Sequence, residues 1–358
     1  MSQVSANPTQ GRFDHYDVLR GLAIVMVFFV HAGQQYLQDS KYSAVNSFLD
    51  VGKHGVAFFF FLSGALLSIS LRKTSASRKM YLRYICKRLL RIYPAYFLSL
   101  LLLTIISQPS LRDFLQHLFL LHSLDFRTFG SINYPYWSLS VEFITYLIIP
   151  LLLWFSKGSN RMAVLTSIII ISLSWQILGY FAREIIGFDP RNELSATFYV
   201  ITALPAFAVG VYKIELEKSN RGLLLIRAFS MLAIADLAMS FFGIFRVFQF
   251  WDPINQLMHG STGYLTYGCL ALTLSNMFSH TTKKIRLLSS LSKISYSVYL
   301  WHLPLLVLCM EKFDSSVPTL FLAIILTIIV SLLSFRVIEA PFIKYSAEKV
   351  RLEEKGKP

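Results

Sequence analysis

The chain has 358 residues, of which 54% are hydrophobic, 15% aromatic and only 15% charged, with a mean hydropathy of +0.53 and a formal net charge of +14. Such values exclude a soluble globular domain and mark a polytopic membrane protein. The positive charge is spread over short loops between apolar runs, which is a topology signal, so no nucleic-acid partner is expected.

Residues 1–16 are polar and are expected to form a short cytoplasmic segment. No cleavable signal peptide is expected, because the first apolar run is long enough to remain as an anchor. Runs of about 20 apolar residues predict about ten transmembrane helices, at roughly 18–37, 52–71, 89–107, 137–155, 162–181, 197–213, 228–245, 260–279, 294–311 and 317–338. The expected fold is an all-α polytopic membrane helix bundle, with a transmembrane domain over 17–342 and a cytoplasmic tail over 343–358. With the N-terminus inside, only Lys41, Lys53, Arg112, Arg127, Arg183, Arg191, Arg246 and Lys312 fall outside, eight of the 34 Lys and Arg. The bias places both termini in the cytoplasm. Cys86, Cys269 and Cys309 have neither disulfide nor metal-ligand spacing, and no metal is expected.

In the first span, "RGLAIVMVFFVH" places Arg20 and His31 at opposite ends of ten apolar residues. Eleven helical steps return His31 to within about 20° of the face of Arg20, roughly 16 Å along the axis. The two would line one long path. His31, in the outer half, is either a general base or a histidine hydrogen-bonded to a neighbouring helix. The second span, "FFFFLSGALL", carries Ser63 and Gly64, small residues suited to close helix packing.

"RKMYLRYICKRLLRIYPAY" opens the third span with six cations, Arg88 and Arg91 among them. Three residues apart, these two are surface neighbours able to grip a phosphate by forked hydrogen bonds, although snorkelling arginines give the same pattern. The following external stretch, "LRDFLQHLFLLHSL", is too short and polar to span and is expected at the outer surface. In "YPYWSLSVEFITYL", Glu142 lies six residues into the fourth span, about 8 Å below the outer interface, at a depth comparable with His31. A carboxylate there either orients the imidazole or pairs with an arginine in a wet crevice. Asp236 and His302 are further ionisable groups inside spans: Asp236 serves a proton path or pairs across the bundle, and His302 makes a structural hydrogen bond or acts in catalysis, while Asp14 and Asp17 cap the first span or pair with Arg20.

Taken together, "DVLRGLAIVMVFFVHA", "FFFFLSG", "KRLLRIYPAYF", "YWSLSVEFITYLIIP", "ISYSVYLWHLP" and "VIEAPF" resemble, in order and spacing, the bacterial acyltransferase-3 family of integral membrane O-acyltransferases, from about Asp17 to Phe342. The resemblance implies transfer from cytoplasmic acyl-CoA, typically acetyl-CoA, to a saccharide hydroxyl such as that of O-antigen or exopolysaccharide at the outer face of a bacterial inner membrane. Its Arg-x10-His motif falls on Arg20 and His31, its Arg-x-x-Arg motif on Arg88 and Arg91, and its glutamate on Glu142. His31 and Glu142 are then the expected catalytic pair, and Arg20, Arg88 and Arg91 the expected acyl-CoA ligands. Some members carry a fused SGNH hydrolase-like domain, for which these residues leave no room; a stand-alone enzyme, or one served by polysaccharide-assembly proteins, is expected. The rival readings are a transporter or flippase and a non-catalytic component of such an assembly.

Overall fold

The computed structural model describes residues 14–37, 45, 49–72, 78–155, 160–188, 195–241, 260–280 and 285–355. Lys41, Arg191 and Arg246 lie outside the described residues. Thirteen α-helices are described, and no strand occurs among these residues: α1 (Asp14–Tyr36), α2 (Gly55–Arg72), α3 (Arg78–Ser107), α4 (Leu111–Leu118), α5 (Trp137–Phe155), α6 (Arg161–Ile186), α7 (Ser195–Val211), α8 (Lys213–Lys218), α9 (Asn220–Phe241), α10 (Ser261–His280), α11 (Arg286–Lys312), α12 (Val317–Ser334) and α13 (Ala340–Lys355). A helix covers each of the ten expected spans within the described residues. Among the described residues, seven segments are long and apolar enough to cross a membrane: His15–Tyr36, Val51–Ile69, Tyr81–Ser107, Arg161–Ile186, Asn220–Phe241, Leu287–Lys312 and Val317–Ser346. The last runs through a π-turn, Phe335–Glu339, into α13.

Close backbone approaches fix the bundle. A Cβ on Gly64 of α2 would sit 2.2 Å from Phe207 O of α7, and one on Gly210 of α7 would sit 2.2 Å from Phe61 O of α2. The two helices therefore meet backbone to backbone, as small residues allow in a bilayer. Gly21 of α1 meets Leu288 O of α11 in the same way.

Prolines inside helices leave the carbonyl four residues earlier without its usual donor. Two of these carbonyls are taken by side chains from elsewhere in the bundle. Pro205 frees Ile201 O, which accepts from Ser172 Oγ of α6 at 2.9 Å. Pro304 frees Leu300 O, which accepts from Asn133 Nδ2 at 3.1 Å and so ties the turn before α5 to α11.

The stretch 111–124, expected at the outer surface, folds back along α3 together with the residues up to 136. Tyr93 and Tyr96 donate to the backbone oxygens of Leu118 and His117 at 2.8 Å each, eleven to fourteen residues from Ser107, the end of α3. His117, Leu120, His122 and Ser123 are buried. The segment can enter the bundle because those tyrosines and Ser140, which donates to Leu120 O at 2.7 Å, satisfy its backbone.

Candidate active site

A cavity of about 720 Å³, part of it open to solvent, lies among α1, α2, α3, α5 and α11. Arg20, Arg88 and Arg91 line it together with Ser63, Glu142, Tyr296 and Tyr299. Four of the five expected site residues thus share one space. Three guanidinium groups concentrate positive charge there, and their forks match phosphate oxygens.

Each arginine is held differently. Arg20 Nη1 donates to Asp17 at 2.9 Å, one helical turn earlier. Arg88 Nε donates to Tyr84 OH at 3.1 Å, and its guanidinium lies 5.4 Å from the Tyr84 ring and 5.6 Å from that of Tyr146. Those aromatic faces fix the fork by cation–π attraction. Arg91 stands one turn further along α3, near the buried carboxylate of Glu339 presented by the π-turn. Glu339 itself accepts from Ser297 Oγ.

Of the two readings of Glu142, orienting His31 or pairing with an arginine in a crevice, the first does not match its hydrogen bonds, which run to Ser63 and Tyr146 rather than to His31. One of its oxygens accepts from both Ser63 Oγ of α2 and Tyr146 OH, one turn along α5, and Tyr146 OH also lies 3.2 Å from Ser63 Oγ. Depth along a helix sets the level of a side chain, not the direction it faces. The face of α5 bearing Ser138, Leu139 and Glu142 turns toward the arginines. Ser63, read as a packing residue, is also a hydrogen-bond partner of this carboxylate.

His31 lies beyond the cavity, and its partner is His302. His302 Nδ1 is 3.0 Å from Val298 O and 2.9 Å from Tyr299 O; facing only acceptors, it carries the ring hydrogen. Its Nε2 therefore presents a lone pair, 3.1 Å from His31 Nδ1. His31 Nδ1 is also 2.9 Å from Val27 O. With two acceptors before it, His31 Nδ1 must carry a hydrogen, which leaves Nε2 as the basic nitrogen. Tyr299 links the two regions: it lines the cavity, its ring lies 5.9 Å from that of His302, and its hydroxyl reaches Ser138 and Pro135 O. Tyr134 sits edge-on to His31 at 6.5 Å between centroids. Its side chain is exposed, while Asn133, Pro135 and Tyr136 beside it are buried.

A family model described as an acyltransferase domain, the acyltransferase-3 type, matches residues 13–336. The chain belongs to the acyltransferase-3 family. It is a multi-pass membrane acyltransferase, and its cavity is read below as the acyltransferase site. Among relatives of the family, the ORF330 protein of Acidianus two-tailed virus, assigned as an acetyltransferase, is 28% identical over 80% of this chain and 81% of its own length. The O-acetyltransferase OatA of Staphylococcus aureus is 25% identical over 92% of this chain and 57% of its own length. The peptidoglycan O-acetyltransferase OatA of Listeria monocytogenes is 25% identical over 92% of this chain and 55% of its own length. The chain thus spans little more than half the length of the OatA proteins. No solved structure matches it significantly.

Polar groups in apolar runs, together with the family motifs, led to Arg20, Arg88, Arg91, Glu142 and His31. They singled out His302 without tying it to the site, and did not lead to Tyr146 or Tyr299. Tyr146 carried a readable signal, since it lies four residues from Glu142 and so on the same helical face. His302 carried none that ties it to His31, 271 residues away.

Proposed function

We propose that this acyltransferase moves an acetyl group from cytoplasmic acyl-CoA to a hydroxyl of a saccharide or glycolipid on the far side of a bacterial inner membrane. The observation that carries the reading is the cavity lined by three guanidiniums, separated by Tyr299 from a histidine whose Nε2 is basic. Coenzyme A bears a diphosphate and a further phosphate, which suits three forked cations, and it supplies the acyl group activated as a thioester. The OatA relatives, one of them a peptidoglycan O-acetyltransferase by name, support a saccharide hydroxyl as the acceptor.

In this reading Arg20, Arg88 and Arg91 bind the donor's phosphates, while Glu142 holds Ser63 and Tyr146 in place and tempers the mutual repulsion of the cations. His31 Nε2 takes the proton of the acceptor hydroxyl as that oxygen bonds to the acyl carbon. The carbon–sulfur bond breaks, and the departing thiolate receives the proton from His31. A second route has His31 Nε2 itself carry the acyl group before the saccharide takes it. The test is made in proteoliposomes with labelled acetyl-CoA on one side and an oligosaccharide acceptor on the other. Label appearing on the oligosaccharide, matched by free thiol on the donor side, supports the proposal. Thiol release without labelled acceptor, or no release at all, counts against it.

A further inference from the structure

His302 is fully buried, and nothing in the acyl-transfer scheme above requires it. We propose that His302 is a positioning residue, which holds the His31 ring with Nε2 free and shares the hydrogen on its Nδ1 when that ring becomes protonated. The inference rests on the acyltransferase reading of His31.

The argument begins at α11. His302 Nδ1 turns back onto the carbonyls of Val298 and Tyr299 in its own helix, at 3.0 and 2.9 Å. These two acceptors fix both the ring orientation and the position of its hydrogen. The lone pair on Nε2 then points across to α1, where His31 Nδ1 waits at 3.1 Å. The ring is further confined by Phe28 at 6.3 Å and Tyr299 at 5.9 Å between centroids. Two lone pairs cannot face each other at that separation without repulsion, so the hydrogen between the rings belongs to His31. Val27 O asks for the same hydrogen at 2.9 Å. The two acceptors hold His31 by a three-centre bond, and His302 supplies the one that comes from another helix.

The helix itself favours this placement. Pro304, two residues on, frees Leu300 O for Asn133, so α11 is locked at this level to the turn that carries Tyr134 over His31. A neutral imidazole also suits the setting better than a carboxylate. It accepts from the imidazolium formed during proton transfer without burying a second permanent charge.

The test compares His302→Leu, His302→Gln and His302→Asn with wild type in a steady-state assay of acyl-CoA consumption, each matched for membrane level and melting temperature in detergent. The glutamine amide oxygen reaches the position of imidazole Nε2, whereas asparagine reaches only that of Nδ1. His302→Leu is expected to lower kcat about 100-fold with KM for acyl-CoA within about threefold, the size of effect that partners of catalytic or ligating histidines have. His302→Gln is expected to recover at least tenfold of that loss, and His302→Asn to resemble His302→Leu. The proposal is overturned if kcat of His302→Leu stays within threefold of wild type, or if Gln does no better than Asn. Activity retained by His31→Ala would instead overturn the acyltransferase reading of His31, whereas a silent His31→Ala beside an active His302→Leu removes only the role given to His302.

Discussion

Arg88 and Arg91 stand three residues apart on α3 with both forks on one cavity, and one of them is clamped by aromatic faces. A lysine at either position keeps the charge but offers a single point donor and loses the stacking. Arg88→Lys and Arg91→Lys are therefore expected to raise KM for acyl-CoA about tenfold, with kcat changed little, because the lost contacts are made equally in ground and transition state. Initial rates at varied acyl-CoA check this, and a fall in kcat at unchanged KM would contradict it. The motif residues could be read from sequence because each is a polar group in an apolar run, where its cost singles it out. What each one faces could not be read in the same way. Glu142 and His31 lie at similar depth, yet the azimuth of α5 sends the carboxylate to Ser63 and Tyr146 and leaves the imidazole to His302.

At the scale of elements, the segment 111–136 and the α2–α7 contact carry the clearest consequences. Within that segment His117 and His122 stack face to face, 4.0 Å between centroids and 3° from parallel. Burial, and then the adjacent His117, holds His122 down to about 3, and burial also keeps His117 below the ordinary histidine value of 6.5. His122 is neutral while the segment is packed and takes up a proton once it opens, and His117 is shifted in the same direction. Between pH 6.5 and about 3 the open form binds more protons at His122, so the packed form loses stability as pH falls, by at most about 1.4 kcal/mol per pH unit from that histidine. Hydrogen exchange at residues 111–124, corrected for intrinsic rate, is expected to show less protection at pH 5 than at pH 7. Equal protection would contradict the assignment.

The reciprocal approach of Gly64 and Gly210 gives a second expectation. Gly64→Ala places a methyl group against backbone, which cannot swing aside, so α2 and α7 must part. Overpacking of this kind costs about 1–3 kcal/mol, and a lowered melting temperature in detergent would report it. The sequence suggested small-residue packing at this point but could not name α7 as the neighbour. The folding-back of 111–136 was hidden for a related reason: its polar character reads as surface until Tyr93, Tyr96 and Ser140 are known to satisfy its backbone.

For the whole molecule, composition was enough to reach a helical membrane bundle, since apolar runs of spanning length leave a chain little else to do in a bilayer. The site is assembled across that bundle: α1 contributes an arginine and a histidine, α3 two arginines, α5 a carboxylate and α11 the second histidine. The central claim is that this assembly transfers an acyl group to a surface saccharide through His31. It is tested most directly by mass spectrometry of surface glycans from cells carrying wild type, His31→Ala, Glu142→Ala or no protein, at matched membrane levels. The account predicts an added acyl mass, 42 Da if the group is acetyl, with wild type and its loss with both variants, about 42 Da being the mass of acetyl in place of hydrogen. The same added mass on glycans from His31→Ala cells would contradict it.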